Sequence, residues 1–233
     1  LGVDRENYQH LFEGFINNSD KLVESFLAPL LRFPQHPLLM ARFGLYALRP
    51  CTMLTHQLFK TKEAKALFAG LAAHAILPLN APATAAFGLV LGMLGHAVGW
   101  PLPKGGSQAV ADALANYFKS LGGEIFTSHE VKSLAELPKA KAIFLDTTPT
   151  QFMDLASGQL PSPYVNAINR FRYGAGVFKI DYALSEAVPW KDKQCLRAGT
   201  VHLGGTLEEI VQSEYEMSQG RHAEKPYVLV AQQ

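Results

Sequence analysis

Apolar residues recur at spacings of three and four along the first part of the chain, which predicts helices. Between residues 8 and 33 a polar run at residues 17–20 interrupts this pattern, so we expect two short helices there. Ser19 or Asp20 is expected to cap the second helix, because a short side-chain oxygen can accept hydrogen bonds from its first N–H groups. The same spacing predicts a further helix over residues 38–48.

The middle of the chain has no Asp, Glu, Lys or Arg between Lys65 and Lys104. Thr61 is expected to cap the helix that leads into this uncharged run. Residues 81–98 approach the length of a membrane-spanning helix, but prolines and glycines in and around them weaken helix continuity. Helices that line a buried apolar cavity are therefore the favoured interpretation. An interfacial membrane anchor over residues 81–98, giving peripheral membrane association, is the alternative.

From residue 100 onward the pattern predicts helices that alternate with strands. A helix is expected over residues 109–120, with one apolar face made by Val110, Leu114, Tyr117 and Phe118. Further helices are expected near residues 150–157 and 165–172 and after Thr206. The expected strands are 124–134 (as one or two short strands), 141–146, 176–184, 201–204 and 227–231. This order of elements predicts an α/β fold class, or α+β for this chain considered alone.

Composition and charge narrow the class of protein. Hydrophobic residues make up 48% and charged residues 18% of the 233 positions, which is enough to bury a sizeable core. The formal net charge is +1, so no nucleic-acid partner is expected. The two cysteines, Cys51 and Cys195, lie far apart without a metal-binding spacing, which indicates neither a disulfide framework nor a metal site. A cytoplasmic or other reducing compartment is therefore expected.

A glycine pair opens the loop that leads into the helix at 109–120. In the sequence Lys104-Gly105-Gly106, the two glycines allow the backbone to approach a flat or anionic ligand closely, and the helix that follows offers unpaired N–H groups. No G-x-G-x-x-G or G-x-x-x-x-G-K-[ST] motif occurs in the chain, so the usual phosphate-binding partner of such a loop is missing. A helix-entry turn that needs positive φ is the alternative interpretation.

Several motifs spread over most of the chain resemble those of one family. They are Trp100-Pro101-x-Pro103-x-Gly105-Gly106, Asp146-Thr147-Thr148-Pro149, residues 178–184 with Val188-Pro189-Trp190, and residues 199–205. Taken together, they resemble the phytoene desaturase-like flavoprotein oxidoreductases, and in particular the phytoene dehydrogenase-related branch. These enzymes are relatives of the amine oxidases and of the Rab escort proteins.

The resemblance implies an enzyme that binds FAD and passes a hydride from an apolar substrate to the flavin. It assigns residues 1–98 to a helical substrate-side region, residues 99–150 to an inserted piece of the FAD-binding domain with part of its sheet, and residues 151–233 to a mixed substrate-domain sheet with helices. The dinucleotide fingerprint and the C-terminal FAD segment of the family are not in this sequence. We therefore expect the central part of a longer enzyme, which alone neither binds FAD nor turns over.

The resemblance also implies positions for the site residues. The residues expected to contact the cofactor are Lys104, Gly105, Gly106, Val131 (through its backbone), Thr147 and Thr148. The residues expected to line an apolar small-molecule substrate are His96, Trp100, Phe178 and Tyr182. Each expectation has an alternative. His96 could be a satisfied core histidine, and the aromatic residues could belong to the core. Val131 could be a buried strand residue, and Thr147 and Thr148 could form a strand-ending turn at Pro149. No catalytic residue is assigned, and a non-enzymatic escort module for an apolar or lipidated partner is the rival function.

Overall fold

The computed structural model describes residues 1–29 and 31–232. These residues form a mainly helical protein, 51% helix, with a small two-stranded antiparallel sheet, which is compatible with the α+β class. The contacts divide the chain into a core unit, Leu1–Gly106 together with the residues from Val177 onward, and an inserted unit, Ser107–Gly176. This division differs from the three functional segments that the resemblance implies, and the roles of those segments stay predictions.

Among the described residues, six α-helices precede the inserted unit, and one α-helix and two strands follow it. The helices are α1 (Arg5–Ile16), α2 (Ser19–Phe26), α3 (Pro37–Ala47), α4 (Cys51–Leu58), α5 (Lys62–Ala72) and α6 (Ala85–Ala97). The inserted unit contains α7 (Ser107–Ser120), α8 (Pro149–Leu155) and α9 (Ser162–Ile168). The core unit continues with β1 (Thr200–Leu203), α10 (Leu207–Ser218) and β2 (Val228–Ala231). No helix among the described residues is long and apolar enough to cross a membrane.

Helix α6, which lies in the uncharged run, packs closely against α1 and α5. A Cβ atom on Gly88 would lie 2.8 Å from the ring of Phe68, and one on Gly92 would lie 2.6 Å from the ring of Phe12. These glycines are four residues apart and so share one face of α6. Aromatic rings pack directly on the helix backbone at both positions. The glycines therefore permit dense packing there, where an apolar cavity was expected.

A buried carboxylate joins the start of the chain to the α4–α5 connection. Asp4 is fully buried and accepts hydrogen bonds from the Lys60 amide at 2.8 Å, the Thr61 amide at 2.7 Å and the Thr61 hydroxyl at 2.6 Å. Burial alone would raise the pKa of Asp4, but these hydrogen bonds outweigh it and hold the pKa below its ordinary value. Asp4 is therefore ionised at neutral pH and anchors α1 to the segment that begins α5.

We expect Asp4→Asn to lower the melting temperature at pH 7 by several degrees, since an amide cannot accept all three hydrogen bonds as a carboxylate does. Because the pKa of Asp4 is lower in the folded state, its stabilisation is complete at neutral pH and is lost as the pH falls below about 4. Thermal unfolding at pH 7 and pH 3, beside the exposed control Asp20→Asn, checks both statements. Equal melting temperatures for the two variants at pH 7 would contradict this role for Asp4.

The helix starts show which capping predictions hold. Thr61 caps α5 by accepting a hydrogen bond from the backbone at 3.3 Å, which confirms the prediction. The prediction of Ser19 or Asp20 as the cap of α2 is wrong, because the helix already begins at Ser19 and Asn18 is its N-cap residue. The Asn18 side chain makes no capping bond and donates instead to the Gly14 carbonyl at 3.0 Å.

The sheet consists of β1 and β2, paired antiparallel with Val201 opposite Val230. The predictions of strands at 201–204 and 227–231 are confirmed to within a residue. The structure assigns no strand to 124–134, 141–146 or 176–184, so those three predictions are wrong. Alternation of apolar and polar residues indicates which side chains could share a face. A strand also needs a neighbouring strand that forms hydrogen bonds with its backbone N–H and C=O groups. Phe144 and Phe178 on two of these segments are 93% and 89% exposed.

The helices of the inserted unit follow the sequence pattern closely. α7 covers the expected 109–120 and starts two residues earlier, and α8 agrees with the helix expected near 150–157. α9 begins at Ser162 and ends at Ile168, ahead of the expected 165–172, because Pro163 fits the first helical turn, where no N–H partner is needed. The apolar face expected on α7 is present but exposed.

Candidate functional site

The loop of the core unit that ends at Gly106 has an unusual backbone conformation. Gly105 and Gly106 have φ values of +91° and +80°, a region that residues with a Cβ atom rarely adopt. The Gly106 amide donates to the Pro103 carbonyl at 3.0 Å, which closes the turn. A Cβ atom on Gly106 would have no other atom within 4 Å, and Lys104 is exposed. The need for positive φ is confirmed, and the backbone here is open to a ligand.

The other three residues predicted to contact the cofactor lie in the inserted unit. Val131 is half-buried in an irregular segment. Thr148 is the N-cap of α8: its hydroxyl accepts from the Gln151 amide at 3.3 Å, while the Gln151 side chain accepts from the Thr148 amide at 3.0 Å. This capping box engages the Thr148 side chain. Thr147, one residue earlier, is exposed and remains available to a ligand.

Thr147 borders a cavity of about 430 Å³ within the inserted unit. Helices α8 and α9 supply most of its wall, and the preceding segment supplies the rest. The lining is largely apolar and aromatic, with the Thr147 and Tyr164 side chains as its hydroxyl-bearing members; the other principal members are Leu145, Pro149, Phe152, Ile168 and Phe171. This cavity is open to solvent, and its lining combines aromatic and aliphatic carbon atoms with two hydroxyl groups.

Two of the predicted substrate-lining residues lie at the end of α6 or just beyond it. His96 Nε2 and the Tyr8 hydroxyl are 2.9 Å apart, and burial raises the pKa of Tyr8. Trp100 lies over the helix backbone, since a Cβ atom on Gly95 would be 2.6 Å from its indole nitrogen. His96 therefore has a hydrogen-bond partner, but it is exposed, so the alternative of a satisfied core histidine is wrong in placing it in the core.

The other two predicted substrate-lining residues are exposed. Phe178 is 89% and Tyr182 73% exposed, so the alternative that they belong to an aromatic core is wrong. Tyr182 borders a second, open cavity of about 460 Å³ formed by residues 182–189.

A cluster of titratable side chains was missed as a group by the sequence analysis. His74 lies in the 3-10 turn Ala73–Ala75 after α5, and His202 lies on β1. Their Nε2 atoms are 3.1 Å apart. Burial lowers the pKa of His74, and burial together with the charge of His74 lowers the pKa of His202. The two residues are 128 positions apart, so no local spacing could have predicted their contact.

Tyr227 and Glu214 extend this cluster. The Tyr227 ring meets the His202 ring edge-on with centroids 5.4 Å apart, and its hydroxyl donates to the Gly70 carbonyl at 2.7 Å. Glu214 on α10 is 6% exposed, and burial raises its pKa to about 7. Burial and the charge of Glu214 also raise the pKa of Tyr227. The cluster thus joins α5, β1, α10 and the segment before β2.

Within residues 1–29 and 31–232, no group of three or more His, Cys, Asp or Glu side chains is arranged to hold a metal ion. Three sites are the candidates for function: the loop at Gly106, the cavity beside Thr147 and the His74–His202 cluster. No protein-family model, curated protein or solved structure matches this chain.

Proposed function

We propose that the chain is the substrate-side part of a flavin-dependent oxidoreductase similar to the phytoene desaturases. The observation that carries the proposal is the loop at Gly105 and Gly106. Both residues have positive φ, and the Cβ position of Gly106 faces open space, so a planar ring can approach the backbone there. The proposal extends the motif resemblance, in which this glycine pair passes beside the flavin.

The residues present fit one part of FAD and not the whole cofactor. In the core unit, the backbone of Gly105 and Gly106 is available to it. In the inserted unit, considered by itself, the Thr147 hydroxyl is exposed, whereas the Thr148 side chain is engaged in its helix cap. The glycine-rich phosphate motif is absent from these 233 residues. In the proposed enzyme another segment therefore supplies the phosphate-binding turn, and further strands cover the exposed apolar segments 141–146 and 176–184.

Bound FAD would supply the hydride acceptor, and the protein residues would orient the substrate and exclude water. Hydride transfer requires no protein nucleophile, so the assignment of no catalytic residue is compatible with the reaction. The open cavity beside Thr147 has a largely aromatic and aliphatic lining together with the Thr147 and Tyr164 hydroxyl groups. In the proposed enzyme it would take an apolar group of the substrate.

The visible absorption spectrum of the longer protein that the proposal requires is its direct test. We expect the absorption bands of oxidised flavin in the purified protein, and their bleaching when an apolar substrate is added without oxygen. A colourless protein that FAD cannot reconstitute would overturn the proposal. The 233-residue chain alone is expected to retain no FAD, since it lacks the phosphate-binding turn.

A variant of the glycine loop tests the residue that carries the proposal. In the longer protein we expect Gly106→Ala to weaken FAD binding about tenfold, because the added Cβ atom projects into the proposed path of the flavin. Gly220→Ala is the matched control, since Gly220 has φ +70° and open space around its Cβ position. Flavin titration of both variants gives the comparison. Equal FAD affinities for the two variants would contradict the placement of the flavin beside Gly106.

The exposed apolar face of α7 favours a second candidate function, an escort or binding module without redox turnover. Four large side chains on this helix are between 48% and 66% exposed: Val110, Leu114, Tyr117 and Phe118. Exposed apolar surface of this kind is typical of a site for an apolar or lipidated partner. A flavin-free longer protein that binds a prenylated peptide more tightly than its unmodified form would favour this function over the oxidoreductase.

A further inference from the structure

Two histidines from distant parts of the chain face each other on the core unit. His74 follows α5 and is exposed, while His202 on β1 is half-buried. Their Nε2 atoms lie 3.1 Å apart. This distance suits either a shared proton or a shared metal ion, so the directions of the two rings decide between the two interpretations.

The ring directions differ from those of a straight hydrogen bond. Two imidazoles aimed directly at each other across this N···N distance would hold their centroids roughly 5.4 Å apart, the arrangement that a linear N–H···N bond prefers. The observed centroid separation is 4.9 Å, so at least one ring axis through Nε2 is bent away from the line that joins the nitrogens. Two nitrogens 3.1 Å apart can both lie about 2.0 Å from one ion, which is the zinc–nitrogen distance in proteins.

We propose that His74 and His202 form a binding site for one divalent transition-metal ion of the zinc class. Imidazole nitrogen is a preferred ligand of Zn²⁺, Ni²⁺ and Cu²⁺. The pair supplies two protein ligands, and its exposed side leaves the remaining coordination positions to water. The 49° angle between the ring planes is compatible with this arrangement, because each ring can rotate about its own metal–nitrogen bond.

The surroundings hold the His202 ring in place for this role. The Tyr227 ring packs edge-on against it, and the Tyr227 hydroxyl is anchored on the Gly70 carbonyl. A Cβ atom on Gly70 would lie 3.5 Å from His202 Nδ1, so the ring rests beside the backbone of α5. A bound ion would therefore link the end of α5 to β1 and attach the sheet to the helices.

Zinc titration of the 233-residue chain by calorimetry tests the site. We expect a saturable binding event with one Zn²⁺ per chain and a rise in melting temperature as Zn²⁺ is added. His74→Gln and His202→Gln are each expected to weaken this event at least about tenfold, because glutamine keeps a polar group but is a poor zinc ligand. His10→Gln, at an exposed position on α1, is the matched control and should leave binding unchanged. Zinc affinities in the His74 and His202 variants equal to that of the wild type would overturn the proposal.

A measurement on the unmodified chain gives an answer even where a variant fails to fold. The sequence has eight histidines. With Co²⁺ as a paramagnetic probe, the ring resonances of His74 and His202 should broaden before those of the other six. Broadening spread evenly over the exposed histidines would show weak surface binding only and would overturn the site. If neither Zn²⁺ nor Co²⁺ binds, His74 and His202 are only a hydrogen-bonded pair, and the proposed metal site is overturned as well.

Discussion

Gly92→Ala is expected to destabilise the folded chain by about 2–3 kcal/mol, although glycine to alanine ordinarily stabilises a helix. The added Cβ atom would lie 2.6 Å from two atoms of the Phe12 ring. Phe12 is 1% exposed and stacks near Tyr8 and Phe68, so its ring has little room to move. Gly44→Ala on α3 is the matched control: its Cβ position is open, and we expect it to stabilise by about 0.5–1 kcal/mol.

A double-mutant cycle separates this contact from a general loss of helix quality. Phe12→Leu alone should cost about 1–2 kcal/mol by leaving a cavity. The double variant Gly92→Ala with Phe12→Leu should be destabilised by at least about 1 kcal/mol less than the sum of the single variants, because the smaller side chain makes room for the methyl group. Urea unfolding monitored by circular dichroism gives the four free energies. Strict additivity would show that the Phe12 ring is not what Gly92 accommodates.

Glu214→Gln is expected to stabilise the chain by about 2 kcal/mol at pH 8 and to have little effect at pH 4. Burial raises the pKa of Glu214 from 4.5 to about 7. The folded state therefore binds a proton more tightly than the unfolded state. The contribution of Glu214 to the free energy of unfolding is complete below pH 4.5. It falls as the pH rises from 4.5 to 7, and it stays reduced above pH 7. Glutamine carries no charge at any of these pH values and avoids this loss.

Free energies of unfolding across pH 4 to pH 8, for the wild type and the variant, check the prediction. The lowered pKa values of His74 and His202 affect both proteins alike, so they cancel in the difference. Glu24→Gln removes an exposed carboxylate and should give a difference that is small and independent of pH. A difference for Glu214→Gln that is the same at pH 4 and pH 8 would contradict the buried, proton-binding carboxyl.

The sequence predicts most of the helices because their signals are local, although no helix was predicted where α4 lies. Spacings of three and four gave α1, α2, α3 and α7, and Thr61 gave the start of α5. The strands at 124–134, 141–146 and 176–184 were wrong because alternation says nothing about a pairing partner. The cap of α2 was misplaced because Asn18, Ser19 and Asp20 are all acceptable capping residues, and their sequence does not say which one leaves the helix.

The candidate site was predictable only where its geometry is local. The glycine pair at 105 and 106 indicated positive φ, and the structure confirms that conformation. Thr148 and Gln151 have the spacing of a capping box, a signal in the sequence that assigns Thr148 to a helix start. The contact between His74 and His202 depends on how β1 packs against α5, so it could not be derived from spacing along the chain.

The contact of Tyr227 with Gly70 has a consequence for synthesis on the ribosome. The two residues are 157 positions apart, and α10, which also packs against α5, emerges after the whole inserted unit. The face of α5 that these later elements cover therefore remains exposed while residues 107–176 are translated. Transiently exposed apolar surface is what chaperones bind, so nascent chains that end between residues 107 and 200 should depend on chaperones more than the released protein does.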